Sequence, residues 1–166
     1  MAELTSQERL QPSLLDRLTD DAPDQKSESR ERRVLSVSGM RAAVIRDLAW
    51  LLNTTCLGAS VDLKSVPEVR RSVLNYGIVD LTGRTVSGFT EDELVRIVRE
   101  AILRFEPRLA ASTLVVKLEQ SAKDREFRAM SFRIEAELWA QPLPLQLYVK
   151  TEFDLESGHA RIVETR

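Results

Sequence analysis

The feature that most constrains this chain is a change of hydrophobic period near residue 110. Within 90–105, Leu94, Ile97, Val98, Ala101, Ile102 and Phe105 recur at three- and four-residue intervals, the spacing of one helix face. Within 130–138, Met130, Phe132, Ile134, Ala136 and Leu138 alternate strictly with Ser131, Arg133, Glu135 and Glu137. That two-residue period describes a strand with one face on an apolar core and the other in water. Helical spacing first and strand spacing afterwards predict an α+β fold, with helices packed on one face of a small antiparallel sheet.

The flanking residues set the element ends. Thr90 and Glu93 form a capping box, and Glu91, Asp92 and Glu93 place negative charge on the positive end of the helix dipole. Pro107 disfavours helical geometry at Glu106 and stops the helix there. An earlier helix is expected over 36–53 from Val37, Met40, Val44, Leu48, Leu51 and Leu52, capped by Ser36 or Ser38. A short one is expected to start at Val66-Pro67-Glu68 and run to Leu74, with Gly77, Gly83 and Gly88 marking turns. Further strands are expected over 114–119, 145–150 and 161–164, the last after a Glu156-Ser157-Gly158 turn.

Charge separates an arm from this domain. Residues 1–33 carry six basic and eight acidic side chains, so the whole net charge of −2 lies there and residues 34–166 are balanced. Leu10, Leu14, Leu15 and Leu18 share one face of a short amphipathic helix opened by Pro12 or Ser13. The following stretch to Arg33 has no apolar residue larger than Ala22 and reads as a flexible polar linker. The chain thus divides into an arm, 1–33, and a single α+β domain, 34–166, with the leucine patch expected to dock either on the domain itself or, as a second attachment point, on a partner.

Several functions are excluded on chemistry. A pI near 5.6, with Arg30-Glu31-Arg32-Arg33 as the only basic cluster, argues against a dedicated nucleic-acid binder. One cysteine, Cys56, rules out an internal disulfide and a cysteine zinc site. The longest apolar run is 48–52, too short for a bilayer span, and the first residues lack a signal-peptide pattern, so the chain reads as cytoplasmic. His159, the only histidine, falls in the last turn. Glu135 and Glu137, about 7 Å apart on one strand face, have a spacing a glycosidase would accept. Their alternation with core residues instead marks the wet face of a sheet. No catalytic residue, metal site or cofactor is expected. Phe105-Glu106-Pro107-Arg108-Leu109 stands out as an acid and a base around a rigid proline. With Phe105 completing the apolar stripe, Glu106 and Arg108 are expected to point away from the core, either pairing locally or presenting a charged docking point.

Four short motifs occur in order: Pro12-Ser13-Leu14-Leu15-Asp16-Arg17-Leu18, Leu51-Leu52-Asn53-Thr54, Ser72-Val73-Leu74-Asn75-Tyr76-Gly77 with Asp80-Leu81, and Phe105-Glu106-Pro107-Arg108-Leu109. With them the chain from Pro12 onward resembles the TssE family of type VI secretion baseplate proteins, similar to a wedge protein of contractile phage tails. It departs at Thr55-Cys56, where the family usually carries arginine. The resemblance implies a non-enzymatic role in the baseplate wedge with TssF, TssG and TssK, and in starting the TssB–TssC sheath. It implies that Glu106, Pro107 and Arg108 act in assembly; Leu14, Leu15 and Leu18 are the other candidate partner-binding residues. The family is sometimes labelled lysozyme-like, yet the residues offer no poised acid and nucleophile. An adaptor or inhibitor on the same fold, and a muralytic enzyme, are the alternatives.

Overall fold

A computed structural model describes residues 13–19, 23, 24, 37–81, 90–119, 129–138, 145–154 and 156–164. Its elements run in the expected order. Helix α1 spans Leu14–Leu18, α2 Val37–Leu52, α3 Pro67–Arg71 and α4 Glu91–Phe105. Strands β1 Val115–Glu119, β2 Ala129–Leu138, β3 Leu145–Asp154 and β4 Ala160–Glu164 follow. The strands form one antiparallel sheet in sequence order, β1-β2-β3-β4. The α+β architecture is therefore as the change of period implies.

Register explains the core. Ala129 pairs with Asp154 and Leu138 with Leu145, so Met130, Phe132, Ile134 and Ala136 lie beside Phe153, Thr151, Val149 and Leu147. Phe132 and Phe153 meet edge to face with ring centroids 5.4 Å apart. Val44, Leu48, Leu51 and Leu52 of α2 and Leu94, Val98 and Ile102 of α4 close this face. On the other face Arg133 reaches Glu119 at 3.3 Å and Glu135 at 3.1 Å. Ser131 departs from its expected wet position and is fully buried. It is short and sits in register between Glu119 and Glu152.

The short segments between α2 and α4 have their own logic. Pro67 opens α3 at its first turn, and the expected helix to Leu74 is instead broken at Ser72. The Ser72 side chain caps a separate 3-10 turn, Val73–Asn75. Gly77 adopts φ +113 because the chain passes close over Thr54 there, and any Cβ would strike the Thr54 carbonyl. That approach lets Ile78 N–H donate to Thr54 O at 2.9 Å and Cys56 N–H to Ile78 O at 2.8 Å. Gly158, at φ 71, closes the β3–β4 hairpin as its turn signal indicated. The cap at Ser36, the turns at Gly83 and Gly88, Leu10 and most of the 19–33 linker lie outside the described residues.

Candidate functional site

The site begins where α4 ends. Its capping box forms as expected, with Thr90 and Glu93 exchanging side-chain-to-backbone bonds. The buried stripe Leu94, Val98, Ile102 advances four residues at a time, and the next step lands on Glu106. Glu106 is accordingly only 3% exposed, which corrects the expectation that it points away from the core. The i, i+4 phase governs its placement more strongly than Phe105 does. A carboxylate in that position needs a counter-charge. Pro107 turns the chain so that Arg108 folds back to supply it.

The pairing is bidentate. Arg108 Nε donates to Glu106 Oε1 at 2.6 Å, and Nη2 donates to Oε2 at 2.5 Å. The Arg108 backbone N–H adds a third bond to Oε1 at 3.2 Å. Nη2 also donates to Asp47 Oδ2 of α2 at 2.5 Å, so the Glu-Pro-Arg motif ties the end of α4 to the middle of α2. Burial opposes charge on Arg108, but the bonds and charges of Glu106 and then Asp47 outweigh it and hold the guanidinium firmly protonated. Tyr76 lies alongside, its hydroxyl donating to the Asp47 carbonyl at 3.4 Å and its ring set edge-on to Phe105. Burial, then the charges of Asp47 and Glu106, raise the Tyr76 pKa.

From Asp47 the pairing continues outward to the arm. Arg46 Nε donates to Asp47 Oδ1 at 2.9 Å, while Arg46 Nη1 donates to Asp16 Oδ1 of α1 at 2.5 Å. Glu106, Arg108, Asp47, Arg46 and Asp16 form an alternating row that runs from the core to the arm helix. Burial raises the Asp16 pKa, but Arg46 and Ser13 outweigh it and hold the carboxyl below its ordinary value. Ser13 and Asp16 also form the capping box of α1. Although this anchors the helix, its leucines stay uncovered: Leu14 is 71%, Leu15 46% and Leu18 74% exposed. Trp50, one turn along α2, is half exposed beneath the Arg46 guanidinium, 5.0 Å from the ring centroid.

The other residues singled out from the sequence stay apart from this row. Glu135 pairs with Arg133 along β2, and Glu137 accepts a bond from Gln146 of β3 at 2.7 Å, both on the wet face. His159 is exposed in the hairpin turn, and Cys56 is half-buried after α2. Among the described residues no cluster of three His, Cys, Asp or Glu side chains stands ready for a metal. No described helix is long and apolar enough to cross a membrane.

Sequence reasoning singled out Glu106 and Arg108 and missed Asp47, Arg46 and Asp16. Arg46-Asp47 is an adjacent base and acid in the middle of a largely apolar helix, and Asp47 is its one acid. Asp16 stands three residues after the Ser13 cap. Those two signals were available, but neither says that the two helices meet.

The described residues thus form an α+β domain whose Glu-Pro-Arg motif is folded into its own framework, with the leucines of α1 exposed. The chain belongs to the family described as baseplate wedge protein gp25, whose model matches residues 38–143; TssE belongs to the same family. Its role is accordingly that of a structural baseplate component of a phage or type VI secretion machine, assembled with other baseplate proteins. No curated protein and no solved structure matches the chain.

Proposed function

We propose that this chain is the TssE-type wedge component of a type VI secretion baseplate, acting without enzymatic activity in the cytoplasm beside TssF, TssG and TssK. It also serves as a starting point for the TssB–TssC sheath. The observation that carries this reading is the arm: α1 is locked to the domain by Asp16 and Arg46 while Leu14, Leu15 and Leu18 remain open to solvent. Anchoring a helix restricts its freedom, and here the ordered leucines gain no burial within the chain; a partner surface supplies it. The Glu106-Pro107-Arg108 motif contributes a rigid charged corner. Arg108 spends Nε and Nη2 on Glu106 and Asp47, which leaves Nη1 for a contact in the assembled baseplate.

The last strand supplies the sheath contact. Asn53 brackets the outer side of Ala160, accepting its N–H at 2.8 Å and donating to its C=O at 2.9 Å. Outward-facing backbone groups alternate along a strand, so Ile162 and Glu164 carry the remaining bonding edge of β4. A sheath strand added there extends the sheet through main-chain bonds. Ile162→Pro removes one outward N–H and blocks that addition, so sheath assembly stops while the monomer stays folded; normal assembly overturns the sheath contact.

Co-purification tests the whole reading. Co-expressed with TssF and TssG, the chain is expected to elute as a stoichiometric complex. A chain that elutes alone refutes the wedge assignment. A turbidity assay on purified peptidoglycan is expected to show no clearing; lysis overturns the non-enzymatic reading.

A further inference from the structure

The segment between α2 and α4 presents a second surface, distinct from the arm and from β4. Asn75 is buried and staples it: its Oδ1 accepts Gly58 N–H at 2.8 Å and its Nδ2 donates to Arg70 O at 3.0 Å. Arg104 of α4 donates to the same Arg70 carbonyl at 3.1 Å. The backbone is thus fixed to the domain, yet Val73 is 78% and Leu74 68% exposed, with Val66 also open. A rigid turn that holds two adjacent aliphatics in water is unpartnered apolar surface.

Charge indicates what covers it. Lys64, Arg70 and Arg71 form no ion pair with any carboxylate among the described residues. Of the nearby acids, Asp62 accepts the Lys64 backbone N–H and Glu100 pairs with Arg96 at 3.5 Å. Asp62 and Glu68 oppose Lys64, Arg70 and Arg71, and Arg104 of α4 adds a further cation beside Arg70, so positive charge is in excess. A groove of about 330 Å³ adjoins them, lined in part by Asp62, Lys64, Arg70, Glu100, Arg104 and Phe105. In a chain that is net acidic, this is a local basic and apolar surface.

We infer that residues 64–74 form a docking surface for an acidic amphipathic helix of a partner protein, its leucines on Val73 and Leu74 and its carboxylates on Lys64, Arg70 and Arg71. That the partner is another baseplate protein rests on the wedge reading above; the surface itself does not. Cations flanking an apolar strip favour the acidic helix over a basic one both on approach and at contact.

The probe is a synthetic leucine-rich helical peptide of about five turns with glutamates flanking its apolar stripe. Its counterpart carries lysines in their place, and binding to the full chain is followed by fluorescence anisotropy. The glutamate peptide is expected to bind at least about tenfold tighter than the lysine peptide at low salt, with the gap closing as salt rises. Leu74→Asp is expected to weaken it by about tenfold or more, and Arg70→Glu with Arg71→Glu to invert the preference. All three side chains are exposed, so the urea midpoint stays unchanged and serves as the folding control. Equal binding of the two peptides, no binding, unchanged affinity in the variants, or displacement of the peptide by phosphatidylserine vesicles overturns the inference. A chain that binds the glutamate peptide but forms no complex with TssF and TssG keeps this surface and loses the wedge reading. The opposite pair of results does the reverse.

Discussion

Replacing Arg108 by methionine removes the counter-charge from the most deeply placed carboxylate of the site. Glu106 is 3% exposed, and without the guanidinium it retains one side-chain contact, the 3.2 Å bond from the residue 108 backbone N–H. Asp47 loses one of its two arginines but keeps Arg46. Removing one partner of a buried ion pair costs about 3–5 kcal/mol, most of it from the charge left behind. Because Arg108 is itself 21% exposed, water reaches part of the vacated space and the lower end, about 3 kcal/mol, is expected here. For a chain of this length that corresponds to a fall of about 6–12 °C in Tm. Urea unfolding of the purified chain measures it, with an unchanged m-value required for the comparison. The control is Glu106→Gln combined with Arg108→Met. If the cost arises from stranded charge, the double variant is more stable than Arg108→Met alone. A loss below about 1 kcal/mol, or a double variant that is simply additive, refutes the claim that the motif is an internal clamp.

Three further outcomes follow from the same geometry. Gly77→Ala is expected to cost about 2 kcal/mol or more in urea unfolding, because φ +113 and the Thr54 carbonyl both exclude a Cβ. The depressed Asp16 carboxyl contributes to α1 docking at pH values above its unfolded value of about 3.9, and that contribution is lost as pH falls through the lower folded value. Trp50 emission in a Trp139→Phe background should report an acid transition that Asp16→Asn lacks. Replacing Leu14, Leu15 and Leu18 together by serine should change stability by no more than about 0.5 kcal/mol, since all three are exposed, while reducing recovery of TssF and TssG in co-purification.

Helix α4 and strand β2 were legible in the sequence because each obeys a local rule. The capping box at Thr90, the stop at Pro107 and the alternation from Met130 to Leu138 each depend on residues a few positions apart. Their outcomes in the structure follow the same rules. The short helix starting at Pro67 was legible at its beginning and not at its end, because the Ser72 side chain opens a new turn that competes with helix propagation. Ser131 was misplaced for a different reason: alternation identifies a face but not how far water reaches each position on it.

The candidate site divides along the same line. Sequence alone determined the change from helical to strand period, the short helix carrying Leu14, Leu15 and Leu18, and an acid and base set around a proline at a helix end. These are properties of neighbours along the chain. Only the tertiary structure decided what that acid and base do. The phase of α4 carries Glu106 into the core, and burial makes Arg108 close on it. Packing of α4 against α2 brings Asp47, 61 residues away in sequence, within 2.5 Å of that arginine. Arg46 then links the row to Asp16, 30 residues earlier. Charges are selective at contact distance and carry no periodic signal, so their pairing emerges only once packing has brought the helices together.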